Sequence, residues 1–267
     1  MGRPSWAPEG VDTDRPSLAR MHDYALGGAH NFAVDRRLYE QLISLMPDLA
    51  AHARADRAFM RRALQFCVAA GVRQFLDLGS GIPTRGNVHE VVQRAAPDSR
   101  VMYVDIDPVA VAHSREILAG NDRARVTQAD IREPERILTH PDVCKLLDLD
   151  QPVAVLMVSV LHFVMEDPAG IVAAFRDATA PGSYLVVSTI TSDARQDRMA
   201  AGQEVVAQQG GLLTALRSRA EVERLLAGFD LVEPGLVWAH EWRPDPPEGS
   251  AADLDQPFIL SCLGRRT

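Results

Sequence analysis

From residue 72 to residue 190 the sequence alternates short apolar runs with amphipathic stretches. That alternation restricts the chain to one class of fold. The apolar runs are VRQFLDL, RVMYVDI, ARVTQAD, PVAVLMVSVLHFV and SYLVVSTI. Between them lie NVHEVVQRAA, DPVAVAHSREILAG, PERILTH with DVCKLL, and AGIVAAFRDATA, whose patterns are helical. Strands and helices in strict alternation predict an α/β fold with a doubly wound, mainly parallel sheet. The run PVAVLMVSVLHFV is almost wholly apolar, as a central parallel strand buried on both faces must be. Two further strands, in LVEPGLVWAHEW and PFILSCLG, are joined by a polar, proline-rich loop instead of a helix. A hairpin follows, so the sheet is expected to have seven strands with an antiparallel strand at its C-terminal edge.

The segment before this alternation has a different character. Residues 1–15 are polar and proline-rich and are expected to form a flexible arm. Residues 16–70 are helical in pattern, with Ala58, Phe59, Arg62, Ala63 and Phe66 on one face, and form a cap. Gly27 and Gly28 interrupt it, leaving GGAHNF as a loop. Residues 71–267 form the core. Its helix starts are marked by Asp107-Pro108, by Asp167-Pro168 and by the capping box SRAE at 218–221.

Charge and cysteine content exclude several functions. With 28 basic and 36 acidic residues the net charge is −8. A general nucleic-acid binder would instead need a cationic face. The N-terminus lacks the apolar segment of a signal peptide, and no apolar run approaches the roughly 20 residues that span a bilayer. Cys67, Cys144 and Cys262 are widely spaced, without metal-ligand spacing. A cytoplasmic protein with buried, reduced thiols is expected, a monomer or homodimer with no metal, no membrane and no nucleic-acid partner.

Parallel sheets bind ligands at the carboxyl ends of their strands. Three acids, Asp77, Asp105 and Asp130, end the first three strands, and Gly79-Ser80-Gly81 follows the first. A dinucleotide site would carry a third glycine, but Thr84 stands there, and Pro83 has no N–H to give a phosphate. Asp77 would repel a diphosphate and favour a cationic group. S-adenosylmethionine meets these conditions. Its ammonium and sulfonium suit Asp77, its ribose hydroxyls Asp105, its adenine amine Asp130, and its carboxylate the N–H groups of the turn. A ligand-free tight turn is the plain alternative. Ser80, Ile106, Ile131 and Ser159 are counted with this site. Asn87 and Glu90 form a capping-box pattern, so the helix is expected to begin only after Asn87. IPTRG is then a loop over the cofactor's amino-acid end, with Thr84 and Asn87 as pocket residues. Asp107 is expected to cap its own helix.

The motifs FLDLGSG, VMYVDIDP, TQADIRE and VSVLHFV resemble, in order, those of class I S-adenosylmethionine-dependent methyltransferases. PSLARMHDYALGGAHNFAVDR, ARADRAFMRRAL and VLHFVMEDPAGIVAAFRDATAPGSYLVVS resemble more closely a bacterial S-adenosyl methyltransferase family once catalogued as a domain of unknown function. The resemblance covers residues 16–265. It implies a Rossmann-like methyltransferase with a helical cap, cofactor roles for Gly79, Gly81, Asp105 and Asp130, and S-adenosylhomocysteine as product. It also implies small-molecule, natural-product substrates.

Methyl transfer requires alignment above all, with a base where the methyl acceptor carries a proton. His162 follows strand four, where the methyl should sit; a buried histidine bonded to backbone is its alternative. Tyr24, His30 and Asn31 lie in the glycine-broken loop region with His22, in a segment suited to a lid. Tyr24 or Asn31 is expected at the methionine end, and Tyr24 or His30 at the methyl acceptor. Asp23 is expected to be a solvated charge, and Arg57, Arg61 and Arg62 to be surface residues or salt-bridge partners instead of ligands. Trp238 and Trp242 either line the pocket or pack in the sheet, and residues 191–217 name no substrate. A non-catalytic S-adenosylmethionine-binding partner protein and an NAD-dependent oxidoreductase are the competing functions.

Overall fold

The computed structural model describes residues 7, 11–83, 86–211, 213–245, 254 and 256–267. Three helices form the cap: α1 (Leu18–Ala25), α2 (Ala33–Leu45) and α3 (Leu49–Ala69). The core then runs β1 (Gln74–Leu78), α4 (Val88–Ala95), β2 (Arg100–Asp105), α5 (Pro108–Ile117), β3 (Ala124–Gln128), α6 (Pro134–Leu138), α7 (Pro141–Leu146) and β4 (Ala154–Val158). A 3₁₀ turn (Leu161–Phe163), α8 (Pro168–Ala178), β5 (Tyr184–Ile190), α9 (Gln196–Gln208), α10 (Arg219–Leu225), β6 (Phe229–Leu231), β7 (Val237–Trp238) and β8 (Ile259–Arg266) complete it.

The strands order as β3-β2-β1-β4-β5-β8-β6, with β7 also paired to β8. The first five are parallel, and β8 runs antiparallel to β5, β6 and β7. The sheet therefore has eight strands where seven are expected. The surplus arises because LVEPGLVWAHEW does not form one strand: Pro234-Gly235 turns the chain, leaving β6 and β7 as short separate pieces. Both lie outside β8, so the antiparallel strand is lodged between β5 and the true edge.

Alternation along the strands supplies both layers of the core. Phe75, Val101, Tyr103, Leu156 and Val186 face α3 and α4, whereas Leu76, Met102, Val155, Met157 and Leu185 face α6, α7, α8 and α10. Each fully buried side chain of this size, such as Phe75 or Phe175, stabilises the fold by about 1.5–3 kcal/mol. Trp242 is fully buried and meets Phe59 and Phe66 edge to face, while Trp238 packs on the other layer, so neither tryptophan serves a pocket. Cys67 and Cys262 are buried as expected, but Cys144 is exposed.

The helix starts read from the sequence are real caps. The Asp107 carboxylate accepts from Val109 N–H at 2.8 Å and Asp167 from Gly170 N–H at 2.9 Å. Ser218 and Glu221 close their box, with Ser218 N–H donating to Glu221 at 2.8 Å. Glu90 accepts from the N–H of Asn87 at 3.2 Å, and α4 begins at Val88, as the delayed start requires.

The cap is stitched by buried acids. Asp35 is fully buried and accepts from Arg20 Nε at 2.8 Å, Ser17 N–H at 2.8 Å and Phe32 N–H at 2.7 Å. Arg20 also donates to the Arg15 carbonyl at 2.6 Å, and Ala7 is buried against Phe32 and Val34. These described residues of the arm are thus bound to the cap, because Arg20 has carbonyl acceptors to satisfy. Asp23 is buried as well, not solvated: it accepts from His30 N–H and Asn31 Nδ2, each at 2.9 Å. A Cβ at Gly28 would lie 1.9 Å from Asp23 Oδ1, which explains the small residue in this loop.

Candidate active site

A cavity of about 810 Å³ lies between the cap and the carboxyl ends of the strands. Its floor is made by Asp77, Gly79, Ser80 and Gly81 after β1, Asp105 and Ile106 after β2, and Asp130 and Ile131 after β3. Ser159, Val160 and His162 extend the floor beyond β4, and residues of the arm, α1 and α3 form the roof. Ten of the residues expected at the site from sequence therefore share one space.

The turn after β1 is held in shape by the protein itself. Gly79 has φ +72, and a Cβ there would lie 2.5 Å from Val160 Cγ2, so the β1 turn and the end of β4 meet only through a glycine. The N–H groups of Gly79 and Ser80 both donate to the Val104 carbonyl, at 2.8 and 3.1 Å, and Gly81 N–H donates to Asp105 Oδ2 at 2.7 Å. These three N–H groups, where a ligand carboxylate was expected to rest, are engaged with β2 in this structure.

The three acids differ in environment. Burial pushes the Asp77 carboxyl up to about 7; the Arg57 guanidinium opposes the rise and the Asp105 charge adds to it. Burial likewise raises Asp105 to about 6, against the Asp107 and Gly81 N–H groups that favour its charge. Asp130 is less enclosed and is held below the usual carboxylate range by Arg132, whose Nε donates to both its oxygens at 2.9 Å. Two buried acids of raised pKa beside a cavity favour a cationic occupant, which would repay their desolvation.

Some expected residues point elsewhere. Tyr24 donates to Glu40 at 3.2 Å and sets its ring against Tyr39, so it does not line the cavity. His30 packs its ring 3.8 Å from that of His113, and Asn31 is buried between Asp23, Gly28 and Arg36. Asn87 lines a small neighbouring pocket with Asp77, Ser80 and Arg57 instead. Thr84 lies outside the described residues. The lid reading misplaced these groups because buried Asp23 draws the whole GGAHNF loop back onto the cap.

Other residues arrive that spacing alone did not indicate. Arg57 faces the cavity and the Asp77 charge, whereas Arg61 pairs with Asp245 and Arg62 donates to the Trp242 and Ala239 carbonyls at 2.7 and 2.8 Å. Arg61 alone of the three keeps the expected surface salt-bridge role; Arg62 is buried against backbone carbonyls and Arg57 faces the cavity. Asp56, His22 and His52 also line the cavity. The helical period of α3 held the signal, since Asp56 and Arg57 sit one turn before Met60, which lines the cavity too.

His162 lies where expected, on the 3₁₀ turn after β4. Its Nδ1 is 3.4 Å from Thr189 Oγ1, and Arg217 holds its turn by donating to the carbonyls of Leu161 (2.7 Å) and Val164. Burial, with Arg217 and His22 nearby, lowers His162 to about 3. Burial lowers His22 to about 4, helped by Arg57, and His52 also to about 4. Near neutral pH the cavity therefore holds three uncharged imidazoles.

The Ser80 hydroxyl, buried on the cavity floor without a partner among the described residues, and the two raised acids fit a polar, cationic cofactor. Comparison with known proteins agrees. A protein of Thermobifida fusca YX described as a proposed methyltransferase is 37% identical, with a TM-score of 0.90, over 99% of this chain and 100% of that one. A DUF574 family protein of Streptomyces avermitilis MA-4680 is 35% identical, with a TM-score of 0.89, over 96% of this chain and 99% of that one. The plantazolicin methyltransferase BpumL, solved with S-adenosylhomocysteine, shares the fold at 12% identity and a TM-score of 0.53, over 93% of this chain and 95% of that one. No curated protein matches the chain. The S-adenosyl methyltransferase profile matches residues 4–267, and the chain belongs to that family as an S-adenosylmethionine-dependent methyltransferase.

Proposed function

We propose that the protein methylates a small molecule of natural-product type, aromatic or heterocyclic, held in the chamber beneath the cap. The observation that carries this reading is the continuity of the cavity. The acids at the strand ends and an apolar chamber lined by Met21, Tyr39, Leu49, Met60, Ile190 and Phe258 are parts of one space. An apolar chamber of this size, with the rings of Tyr39 and Phe258 in its wall, suits a small methyl acceptor better than a polymer.

Within that reading Asp105 binds the ribose hydroxyls with its remaining lone pairs, and Asp130 with Ile106 and Ile131 receives the adenine. Asp77 faces the ammonium. Arg57 takes the carboxylate, a role left open once the turn N–H groups are engaged with β2. When bound, the cofactor supplies an electrophilic methyl group on a sulfonium. His162, neutral and fixed between Thr189 and the Arg217-held turn, forms the wall beside Ser159 and orients the methyl acceptor. Among the described residues no helix is long and apolar enough to cross a membrane, and no group of side chains is suited to a metal ion.

Titration calorimetry tests the site. S-adenosylhomocysteine is expected to bind and NAD is not. NAD binding without S-adenosylhomocysteine binding would overturn the assignment.

A further inference from the structure

Asp56 on α3 is 2% exposed and lies on the cavity wall. The Ser159 hydroxyl donates to its Oδ2 at 2.7 Å, but its Oδ1 has no hydrogen-bond partner among the described residues. Buried polar atoms are rarely left unpaired, and a carboxylate oxygen is among the costliest to leave so. Ser159 is itself unusual. Its φ of 52 is left-handed, a conformation serine seldom adopts, and its N–H is tied to the Ser188 carbonyl and hydroxyl, both at 3.0 Å. The strained residue at the end of β4 therefore positions a hydroxyl on one carboxylate oxygen, and the Ser188 hydroxyl also supports the carboxylate, while Oδ1 is without a hydrogen-bond partner among the described residues. Ser159 follows the strand whose next residue, Val160, presses on Gly79 of the cofactor turn. Asp56 thus stands where the cofactor site passes into the apolar chamber. The Tyr39 hydroxyl, on the same cavity, also lacks a partner among the described residues.

We propose that Asp56 receives the methyl acceptor: its Oδ1 accepts the hydrogen bond of an O–H or N–H carried by an otherwise apolar small molecule, and takes that proton as the methyl group is transferred. The proposal rests on the methyltransferase site described above and names the class of its substrate. Atoms and electrons balance without a further reagent. A lone pair of the substrate oxygen or nitrogen forms the new bond to carbon, the carbon–sulfur bond breaks with its electrons left on sulfur, and the substrate proton passes to Asp56. Burial raises the carboxyl above the usual range and makes it the stronger base, against the Ser188 and Ser159 hydroxyls and Arg57, which favour its charge. Of the other side chains lining the cavity, His22, His52 and His162 are held neutral by burial and compete little for the proton.

The test uses the S-adenosylhomocysteine complex of the full chain and two probes, 2-naphthol and 2-methoxynaphthalene, which differ in a single donor. Calorimetry is expected to show 2-naphthol binding at least about tenfold tighter to the wild-type complex. Asp56→Ala is expected to abolish that preference and Asp56→Asn, whose amide oxygen still accepts, to reduce it, both leaving S-adenosylhomocysteine affinity within about threefold. Retained cofactor affinity also shows that these variants fold; if neither does, the wild-type preference alone decides. Equal binding of the two probes, binding of neither at millimolar concentration, or a preference that survives in Asp56→Ala would overturn the proposal. Failure of the wild-type protein to bind S-adenosylhomocysteine would instead overturn the underlying cofactor site.

Discussion

The N–H of Gly81 donates to Asp105 Oδ2 at 2.7 Å, so the turn after β1 is moored to the end of β2 by the same carboxylate assigned to the ribose. Asp105 Oδ1 is likewise engaged, by Asp107 N–H at 2.8 Å. Removing this side chain takes away the proposed ligand contact and frees the turn together. Asp105→Ala is expected to weaken S-adenosylhomocysteine binding at least tenfold, about 1.4 kcal/mol or more. Unchanged affinity by calorimetry would remove Asp105 from the site.

Gly79 and Val160 impose a steric condition. A Cβ on Gly79 would meet Val160 Cγ2 at 2.5 Å, and φ +72 is unfavourable for any other residue. Gly79→Ala is expected to destabilise the protein by about 1–3 kcal/mol, lowering Tm by roughly 2–4 °C per kcal/mol for a chain of this size. Gly79→Ala combined with Val160→Ala should recover part of the loss. No recovery in the double variant would mean that backbone strain, not the contact, sets the cost.

These two relationships show what the sequence discloses and what it withholds. β1, β2 and β4 were legible because a parallel strand covered on both faces has to be apolar throughout, and the acids were legible because they break that rule at the strand ends. Gly79 and Gly81 declared the turn. The engagement of the turn N–H groups by Val104 and Asp105 was not legible, since it depends on the register of β1 against β2. Arg57 and Asp56 sit in a helix rich in charged and alanine residues, and only packing decides which of its faces meets the cavity. Tyr24, His30 and Asn31 misled for the opposite reason. Their composition suggests a binding loop, but the buried carboxylate of Asp23, indistinguishable in sequence from a solvated one, organises them as structure.

Asp77 and Asp105 link cofactor binding to pH. Their pKa values rise to about 7 and about 6, so near pH 6 the folded protein holds protons that the unfolded chain releases. Their contribution to stability therefore declines as pH rises from about 4 to about 7. A cationic cofactor prefers both acids ionised. Binding of S-adenosylmethionine at pH 6 is expected to release protons, and affinity is expected to climb between pH 5.5 and 7.5. Calorimetry in buffers of different ionisation enthalpy measures the release. Proton uptake, or a release that persists in Asp77→Asn with Asp105→Asn, would contradict the assignment.

Arg195 joins the start of α9 to the cap by gripping both oxygens of Asp48, at 2.6 and 2.5 Å, with its guanidinium over the ring of Phe258 at 5.4 Å. The Arg195 side chain is 2% exposed, and Asp48 is partly exposed. Breaking so enclosed a pair strands a charge, at a cost of about 3–5 kcal/mol when burial is complete and less here because water reaches Asp48. The Arg195 hydrogen bond holds the Asp48 carboxyl down at about 2, against its burial. A lowered carboxylate stabilises the fold above its unfolded pKa near 4, and that contribution is lost as pH falls toward 2. Arg195→Met is accordingly expected to lower Tm at pH 7 and to flatten the loss of stability on acidification from pH 5 to pH 2. Since Phe258, beneath the Arg195 guanidinium, lines the apolar chamber, 2-naphthol binding should weaken in this variant more than S-adenosylhomocysteine binding. Equal weakening of the two would place Arg195 in the general support of the fold instead of the chamber.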